Sequence, residues 1–192
     1  MINYTENYIK NVFRHLCQNT PIEKITITRI IEECKINRNT FYYHYNNIDN
    51  LINDVMKDIV KEINDRYEKD KEDYFICFFN TLMLYKKEVL YQSSHDMSNY
   101  ILNKIYETCG TIANNYLKLD NKCSKFNKLM YSNILRLYKN LMFSFVFDWI
   151  NCGCASIFEN DSMLKNIYIN TFEYLTNNLN NENEKNIKNK IR

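Results

Sequence analysis

Apolar residues recur at intervals of three and four along most of the chain, which is the spacing of one face of an α-helix. The first such run spans residues 3–18 and ends at Thr20-Pro21, because proline disfavours helix in the residue before it. The same spacing predicts further helices near 27–34, 38–45, 48–69, 73–92, 95–118, 124–152 and 161–179. Gly153 follows the helix predicted to end at residue 152, where a helix C-cap favours glycine. The pattern therefore predicts an all-α protein.

The predicted helices differ in length along the chain, and this difference indicates two domains. Residues 1–46 hold short helices and are expected to form a small N-terminal domain. Residues 47–181 hold longer helices dense in aromatic residues, and they begin with a connecting helix over 47–70. Residues 182–192 have almost no apolar content and are expected to be disordered.

Composition narrows the fold class further. The 192 residues include only 2 Gly and 1 Pro, too few for the tight turns of a β-sandwich or barrel and for a glycine-rich phosphate loop. The 16 Tyr and 11 Phe argue against disorder over most of the chain. Lys and Arg number 25 against 23 Asp and Glu, so net charge neither identifies nor excludes a nucleic-acid binder. A binder with this balance would need its cations gathered on one local surface.

The 7 cysteines are odd in number and scattered, and the N-terminus lacks the apolar segment of a signal peptide. Free thiols in a reducing cytoplasm are the expected state. Cys152 and Cys154 have no second ligand pair, so neither a metal nor another cofactor is expected. The most apolar stretch, 141–150, contains Asp148, which favours a buried helix over a membrane span.

Residues 25–52 carry the pattern that points to a function. Two short helices meet at a corner of three to four residues, and a third helix follows, which is the geometry of a helix-turn-helix. The second short helix has two sides. Thr40, Phe41, His44 and Tyr45 suit packing, whereas Arg38, Asn39, Tyr42 and Tyr43 lie opposite. Arg pairs with guanine, Asn with adenine, and Tyr hydroxyls reach phosphate, so the second side suits a major groove. Lys24, Arg29 and Lys35 are nearby cations. Local geometry alone leaves an ordinary solvated surface equally open.

This segment resembles the N-terminal domain of the TetR family of one-component transcriptional regulators over about 50 residues. The family pattern reads approximately I-T-V-x-x-I-A-x-x-A-G-V-S-x-x-T-F/L-Y-x-H/Y-F-x-x-K-E-x-L. The residues that match it are Ile25, Thr26, Ile27, Ile30, Glu32, Ile36, Asn37, Arg38, Thr40, Phe41, Tyr42, His44, Tyr45 and Leu51. Lys35 stands at the usual glycine, Asn39 at a usual small residue, and Ile48 at a usual phosphate-contacting lysine.

The resemblance implies a helix-turn-helix domain joined to a helical ligand-binding and dimerisation domain. It implies a sequence-specific repressor that binds double-stranded DNA at a palindromic operator and is released or tuned by an unknown small-molecule ligand. Arg38, Asn39 and Tyr43 would then face bases. Thr26 or Thr28, Tyr42 and His44 would contact phosphate, with Lys35 beside them. A threonine at a helix N-terminus also acts as a plain N-cap.

The resemblance further implies a homodimer built on the last two long helices. Candidate interface residues, which could equally be core, are Leu129, Leu137, Leu141, Phe145, Trp149, Ile167, Tyr168, Phe172 and Leu175. The family's middle helices often enclose a ligand pocket, for which the candidate lining is Phe79, Met83, His95, Tyr106, Tyr138 and Met142. Aromatic and methionine stripes at helical spacing are more often core than pocket.

Two other functions remain open. The near-neutral N-terminal domain and Ile48 suit a TetR-like co-regulator that acts through a protein partner instead of an operator. Cys34, beside Lys35, suits a redox sensor, but its position in the motif is normally small and apolar, which favours inert packing. The sequence shows no Ser/His/Asp or paired-carboxylate constellation, so an enzyme is not expected.

Overall fold

The computed structural model describes residues 4–70, 72–95, 97–119 and 126–154, with five further positions between 170 and 178. Helices make up nearly all of this part of the chain, and no strand occurs in it, so the predicted all-α class is confirmed. The helix predicted over 161–179 and the tail over 182–192 lie outside the described residues, apart from those five positions.

The first three helices form a compact unit, the N-terminal helical unit. It comprises α1 (Tyr4–Cys17), a short 3-10 turn (Ile22–Lys24), α2 (Ile27–Cys34) and α3 (Arg38–His44). These bounds agree with the predicted helices to within one residue. Ile9, Ile30 and Phe41 are fully buried where α1, α2 and α3 meet. One aromatic and two isoleucines, from three helices, therefore form the centre of this small core.

Helix α4 (Ile48–Asp70) takes part in two cores. It begins after Asn47, whose side-chain oxygen accepts a hydrogen bond from the Asn50 amide at 2.9 Å, as expected for an N-cap. Leu51, Ile52 and Val55 pack into the N-terminal helical unit. Ile63, two to three turns further on, belongs to the C-terminal core.

The C-terminal core is formed by α4 together with α5 (Tyr74–Leu84), α6 (Lys86–Ser93), α7 (Asn99–Lys118) and α8 (Lys128–Asn151). Its centre is aromatic: Phe78, Tyr138 and Trp149 are fully buried. Phe145 contacts Phe75 and Phe78 edge-on, with ring centroids 5.5 and 6.2 Å apart, the arrangement that aromatic quadrupoles favour.

The single helix predicted over 73–92 is wrong, because the chain breaks at Tyr85. The backbone there (φ −105°, ψ 9°) ends α5 and starts α6. The Arg14 guanidinium lies 4.1 Å from the centroid of the Tyr85 ring, so the break lies against α1. The helices predicted from 95 and 124 begin later, at Asn99 and Lys128, because Ser98 and Asn127 cap them.

The end of α8 agrees with the prediction made from Gly153. That residue has φ +66°, its amide donates to the Ile150 carbonyl, and the Cys154 amide donates to the Trp149 carbonyl. These paired bonds form a Schellman motif. Among the helices described, α8 included, none combines the length and apolar character that crossing a bilayer requires.

Candidate nucleic-acid interface

Helix α3 presents the two sides that the sequence predicts. Phe41 and, just after the helix, Tyr45 are buried in the core of the N-terminal helical unit, whereas Arg38, Asn39 and Tyr43 are exposed. The helix starts at Asn37, whose side-chain oxygen accepts a 2.7 Å hydrogen bond from the Thr40 amide. The buried anchor and the cap fix the rotation of α3, so its polar side faces solvent.

The exposed side of α3 is partly ordered by aromatic contacts. Tyr42 meets the buried Phe41 ring edge-on at 5.8 Å, and the Arg38 guanidinium lies 5.8 Å from the Tyr42 centroid. Tyr43 is 83% exposed, and its ring stands edge-on to His44 at 5.0 Å. A stacked arginine loses less side-chain freedom on binding than one that moves freely in solvent.

His44 differs from the other predicted contact residues. It is half-buried, whereas Arg38, Asn39, Tyr42 and Tyr43 are exposed. It also lines a polar groove that runs between α4 and α7, together with Tyr45 and Asn50. His44 therefore stands at the edge of the exposed side of α3.

The corner between α2 and α3 depends on Lys35. This residue adopts the left-handed conformation (φ 52°, ψ 38°), which the usual glycine of the motif adopts without strain. The Lys35 amide donates to Glu32 and the Ile36 amide donates to Ile31, at 3.1 and 3.2 Å. The corner thus keeps its geometry with a lysine, and the lysine side chain is exposed beside α3.

Helix α2 begins after Thr26, at the end opposite to this corner. Thr26 is its N-cap and accepts a 3.2 Å hydrogen bond from the Arg29 amide, so the plain capping role is confirmed. Thr28 and Arg29 are exposed in the first turn. Backbone amides at a helix N-terminus attract anions, and both hydroxyls stand beside those amides.

Six Lys and Arg residues lie between positions 4 and 46. Two of them are neutralised by ion pairs and are not available to bind a phosphate. Lys10 Nζ lies 2.7 Å from Asp58 and 3.3 Å from Asp54, and Arg14 binds Glu88 at 3.2 Å. Burial disfavours the charged Lys10, but the hydrogen bonds and charges of Asp58 and Asp54 outweigh it and raise its pKa. Lys24, Arg29, Lys35 and Arg38 are exposed and make no ion pair within the described residues.

The buried cysteine in this unit has the properties of a packing residue. Burial, together with the nearby charge of Glu33, raises the pKa of the Cys34 thiol to about 11. A reactive cysteine needs the opposite shift, because its thiolate is the nucleophile. The redox-sensor hypothesis therefore loses its best candidate. In the described part of the chain, no three His, Cys, Asp or Glu side chains are close enough to hold a metal ion.

The six predicted ligand contacts are not brought together around one cavity. Phe79, Tyr138 and Met142 are buried in the C-terminal core. His95 is exposed and stacks on Tyr91. The remaining two are half-buried, Met83 against the core and Tyr106 with its hydroxyl bonded to Asn140.

A cavity of about 130 Å³ does exist, at the junction of α1 and α4 with α5–α8, and none of those six residues lines it. Its lining includes Phe13, Phe78, Ile101 and Trp149. The helical spacing of aromatic residues identified core positions, but it could not show where the packing between two cores leaves a gap.

The outward side of α8 carries part of the predicted dimer interface. Leu129 and Leu137 are exposed, at 71% and 41%, whereas Phe145 and Trp149 are buried within the chain's own core. Those two are therefore core residues, not surface residues available to a second copy. The candidates between 167 and 175 lie outside the described side chains.

No pattern in the sequence predicts the polar contacts that join the N-terminal helical unit to α6. The Gln92 amide donates to the carbonyls of Cys17 and Thr20 at 2.7 and 2.9 Å, and its oxygen accepts from the Ile22 amide at 2.9 Å. Gln92 is buried. A glutamine in a helix is ordinary in sequence, so no local signal marks these bonds between residues about 70 positions apart.

Comparison with known proteins does not name a family for this chain. No protein-family model matches it, and no curated protein sequence matches it significantly. The assignment of a function therefore depends on the residues described above.

Proposed function

We propose that this chain is a TetR-like, sequence-specific DNA-binding regulator of transcription. In this proposal α2 and α3 form a helix-turn-helix, and the protein is a homodimeric repressor that binds a palindromic operator in double-stranded DNA. A small molecule bound in the C-terminal part releases it or tunes its affinity.

The exposed side of α3 is the observation that carries the proposal. Arg38, Asn39 and Tyr43 project from a helix whose opposite side is anchored by the buried Phe41. These are side chains that read base edges in a major groove. A helix of 7 residues with such an anchor is held rigidly enough to enter the groove as a unit.

The flanking residues suit contacts to the DNA backbone. Thr26 and Thr28 stand at the N-terminus of α2, and Lys35 is exposed at the corner. Tyr42 and His44, two residues apart near the end of α3, would reach phosphates beside the groove. Such contacts position a protein on the duplex, whereas base contacts specify the sequence.

The polar junction with α6 suits the transmission of a ligand signal. Gln92 makes three hydrogen bonds to the segment that joins α1 to α2. A shift of α6 would therefore carry α2 and α3 with it. Two such units in a dimer must sit about 34–36 Å apart to fit successive major grooves, and a small tilt of each would change that spacing.

The direct test is selection of bound duplexes from a random DNA library at two salt concentrations. Recovery of a palindrome, with affinity that falls steeply as salt rises, is the expected result. A folded protein that enriches no sequence at either salt concentration would contradict operator binding.

Arg38→Ala tests the assigned residue. The variant should lose about 1–3 kcal/mol of operator binding and relax specificity at one base position. Arg66→Ala is the matched control, because Arg66 lies on α4 and pairs with Glu62 within that helix. Fluorescence anisotropy with labelled operator measures both. An Arg38→Ala protein with the affinity of the control would count against the proposal.

A second candidate function is a TetR-like co-regulator that acts through a protein partner. The ion pairs of Lys10 and Arg14 favour it, because they leave four exposed cations against the exposed acids Glu23, Glu32 and Glu33. Such a surface would give weak affinity for any duplex and little salt dependence. The library selection separates the two functions.

A further inference from the structure

The polar groove between α4 and α7 is an open feature of the surface with a volume of about 990 Å³. Side chains of α4 from Asn50 to Glu68 line one wall, and side chains of α7 line the other. Among the described residues that line it, only Met56 and Val60 are apolar. The groove therefore suits an occupant that carries charge, unlike the apolar cavity between the two cores.

The charged side chains of this groove fall into two sets. One set forms ion pairs within the chain: Glu6 and Asp54 with Lys10, Lys104 with Asp49, and Glu107 with Lys139. The other set is exposed and makes no ion pair within the described residues; it consists of Lys57, Lys61, Asp65 and Glu68. These four charges are therefore free to pair with another molecule.

The four unpaired charges form one line on the surface of α4, which we call the α4 stripe. They are spaced by four, four and three residues, and this spacing keeps them on one face of the helix. Two cations come first and two anions follow, and like charges one turn apart repel each other. Lys61 and Asp65 are also one turn apart, but the cation precedes the anion, which is the less favourable order within a helix. Both halves of the α4 stripe would thus gain from opposite charges on a partner.

The α4 stripe is complementary to itself when its direction is reversed. A second α4, placed antiparallel about a two-fold axis near position 63, sets Lys57 opposite Glu68 and Lys61 opposite Asp65. The two-fold axis produces each of these pairs twice, as in any isologous contact. The stripe has no net charge, so two copies can approach without repulsion.

Partners of a single charge fit this surface less well. A phosphate backbone that reached Lys57 and Lys61 would also meet the carboxylates of Asp65 and Glu68. A basic peptide would meet the two lysines in the same way. Only a partner with both signs in the reverse order matches the whole stripe, and a second copy of the chain supplies that order.

We propose that the α4 stripe binds the α4 stripe of a second copy, antiparallel, with each α4 seated against the polar groove of the other. The contact uses no residue of α8 and is therefore separate from the dimer interface of the proposed function. Exposed ion pairs are individually weak, so the contact has low affinity and forms where copies are already close together. Its consequence for regulation rests on the proposed function, since it would join dimers bound at neighbouring operators.

Cross-linking tests the geometry of this contact. A carbodiimide joins a lysine to a carboxylate with no added spacer. Lys57 and Glu68 are about 16 Å apart along α4, farther than their side chains can span within one chain. A mixture of unlabelled and ¹⁵N-labelled full chain should therefore give Lys57–Glu68 peptides of mixed isotope composition in mass spectrometry. Their absence at protein concentrations up to the millimolar range would overturn the proposal.

Charge reversal tests the energetics by sedimentation velocity. Lys57→Glu/Lys61→Glu makes the α4 stripe wholly negative and should lower the self-association constant about tenfold or more. Asp65→Lys/Glu68→Lys makes it wholly positive and should have the same effect. A mixture of these two double variants should associate, because a negative stripe then meets a positive one. The four-site variant that carries all these changes reverses the order of charges and should associate as the wild type does.

A matched control separates this contact from a general effect of charge. Lys87→Glu/Lys118→Glu makes the same change in net charge at exposed positions outside the groove, and it should associate as the wild type does. A mixture that behaves as its separate components, or a four-site variant that fails to associate, would overturn the proposal. A dimer formed through α8 is retained in every variant, so the association step that is lost is the one assigned to α4. No DNA is present, so these results stand or fall independently of the operator selection.

Discussion

At the scale of the residue, Lys35 shows how one side chain can be tolerated in an unfavourable backbone. The left-handed conformation costs an L-residue about 1–2 kcal/mol. The cost is offset locally, because the corner closes two backbone hydrogen bonds and packs Ile36 against the core of the N-terminal helical unit. The lysine keeps a cation at the corner, where a phosphate contact is proposed.

Replacing Lys35 by glycine should therefore stabilise the protein. Lys35→Gly relieves the strain and adds chain entropy to the unfolded state, for a net gain of about 0.5–1 kcal/mol in the free energy of unfolding. Urea denaturation followed by circular dichroism measures it. Glu33→Gly, two residues earlier in helical backbone, should instead lose about 1 kcal/mol. A Lys35→Gly protein that is less stable than the wild type would show that Lys35 is not strained.

The outward residues of α3 could be predicted because they follow from the helical period alone. Phe41 and Tyr45 face the core and Arg38, Asn39 and Tyr43 face solvent, as the spacing requires. The unpartnered Trp149 indole could not be predicted. Whether a buried donor finds an acceptor depends on which distant helix packs beside it.

At the scale of the element, α4 is tied to α7 by charges near its N-terminus. Lys104 Nζ lies 2.7 Å from an Asp49 carboxylate oxygen, and the Tyr100 hydroxyl also donates to Asp49. Lys104 and Tyr100, which both donate to the ionised form, hold the pKa of Asp49 below its usual value. The negative charge also lies in the first turn of α4, where the helix dipole favours it.

This contact predicts a specific loss of stability in acid. A carboxyl whose pKa is lowered by folding stabilises the protein above its unfolded pKa, near pH 4, and that contribution is lost as pH falls through the folded value. Asp49→Asn should therefore be less stable than the wild type at pH 7, and the difference should shrink below pH 4. Thermal unfolding between pH 3 and 7 measures this. Asp65→Asn, an exposed carboxylate on the same helix, is the control and should not show the effect.

The helices themselves were predictable only as far as local signals reach. The first residues of α2 and α3 could be predicted from Thr26 and Asn37, which are the N-caps of these helices. The break between α5 and α6 carries no glycine or proline. The Tyr85 ring at the break contacts Arg14, a residue 71 positions away, and no periodicity within 73–92 contains that information.

At the scale of the whole molecule, Gln92 is the main polar connection between α6 and the N-terminal helical unit. One buried amide satisfies two carbonyls and one backbone amide that lie between the end of α1 and the start of the 3-10 turn. These backbone groups would otherwise be buried without partners. Gln92 therefore pairs these backbone groups and also fixes α6 against the N-terminal helical unit.

Removing this side chain should weaken the molecule at that junction. Gln92→Ala should lower the free energy of unfolding by about 2–4 kcal/mol, because three hydrogen bonds are lost and their backbone partners stay buried. Hydrogen exchange of the Ile22 amide should also accelerate. Gln18→Ala, at a half-buried position nearby, should change stability by about 0.5 kcal/mol or less. Unchanged stability and exchange in Gln92→Ala would show that water replaces the amide.

The sharing of α4 between two cores has a consequence for anyone who grafts the N-terminal helical unit onto another protein. A graft that cut the chain at the boundary expected from sequence, after residue 46, would separate Phe41 and Ile30 from Leu51, Ile52 and Val55, which complete their core. The transplantable cassette must therefore run to at least Met56, with the junction placed in the following turn of α4. Beyond that point α4 would be part of the recipient protein. The length of that segment and its rotation about the helix axis would then set how the grafted unit is oriented.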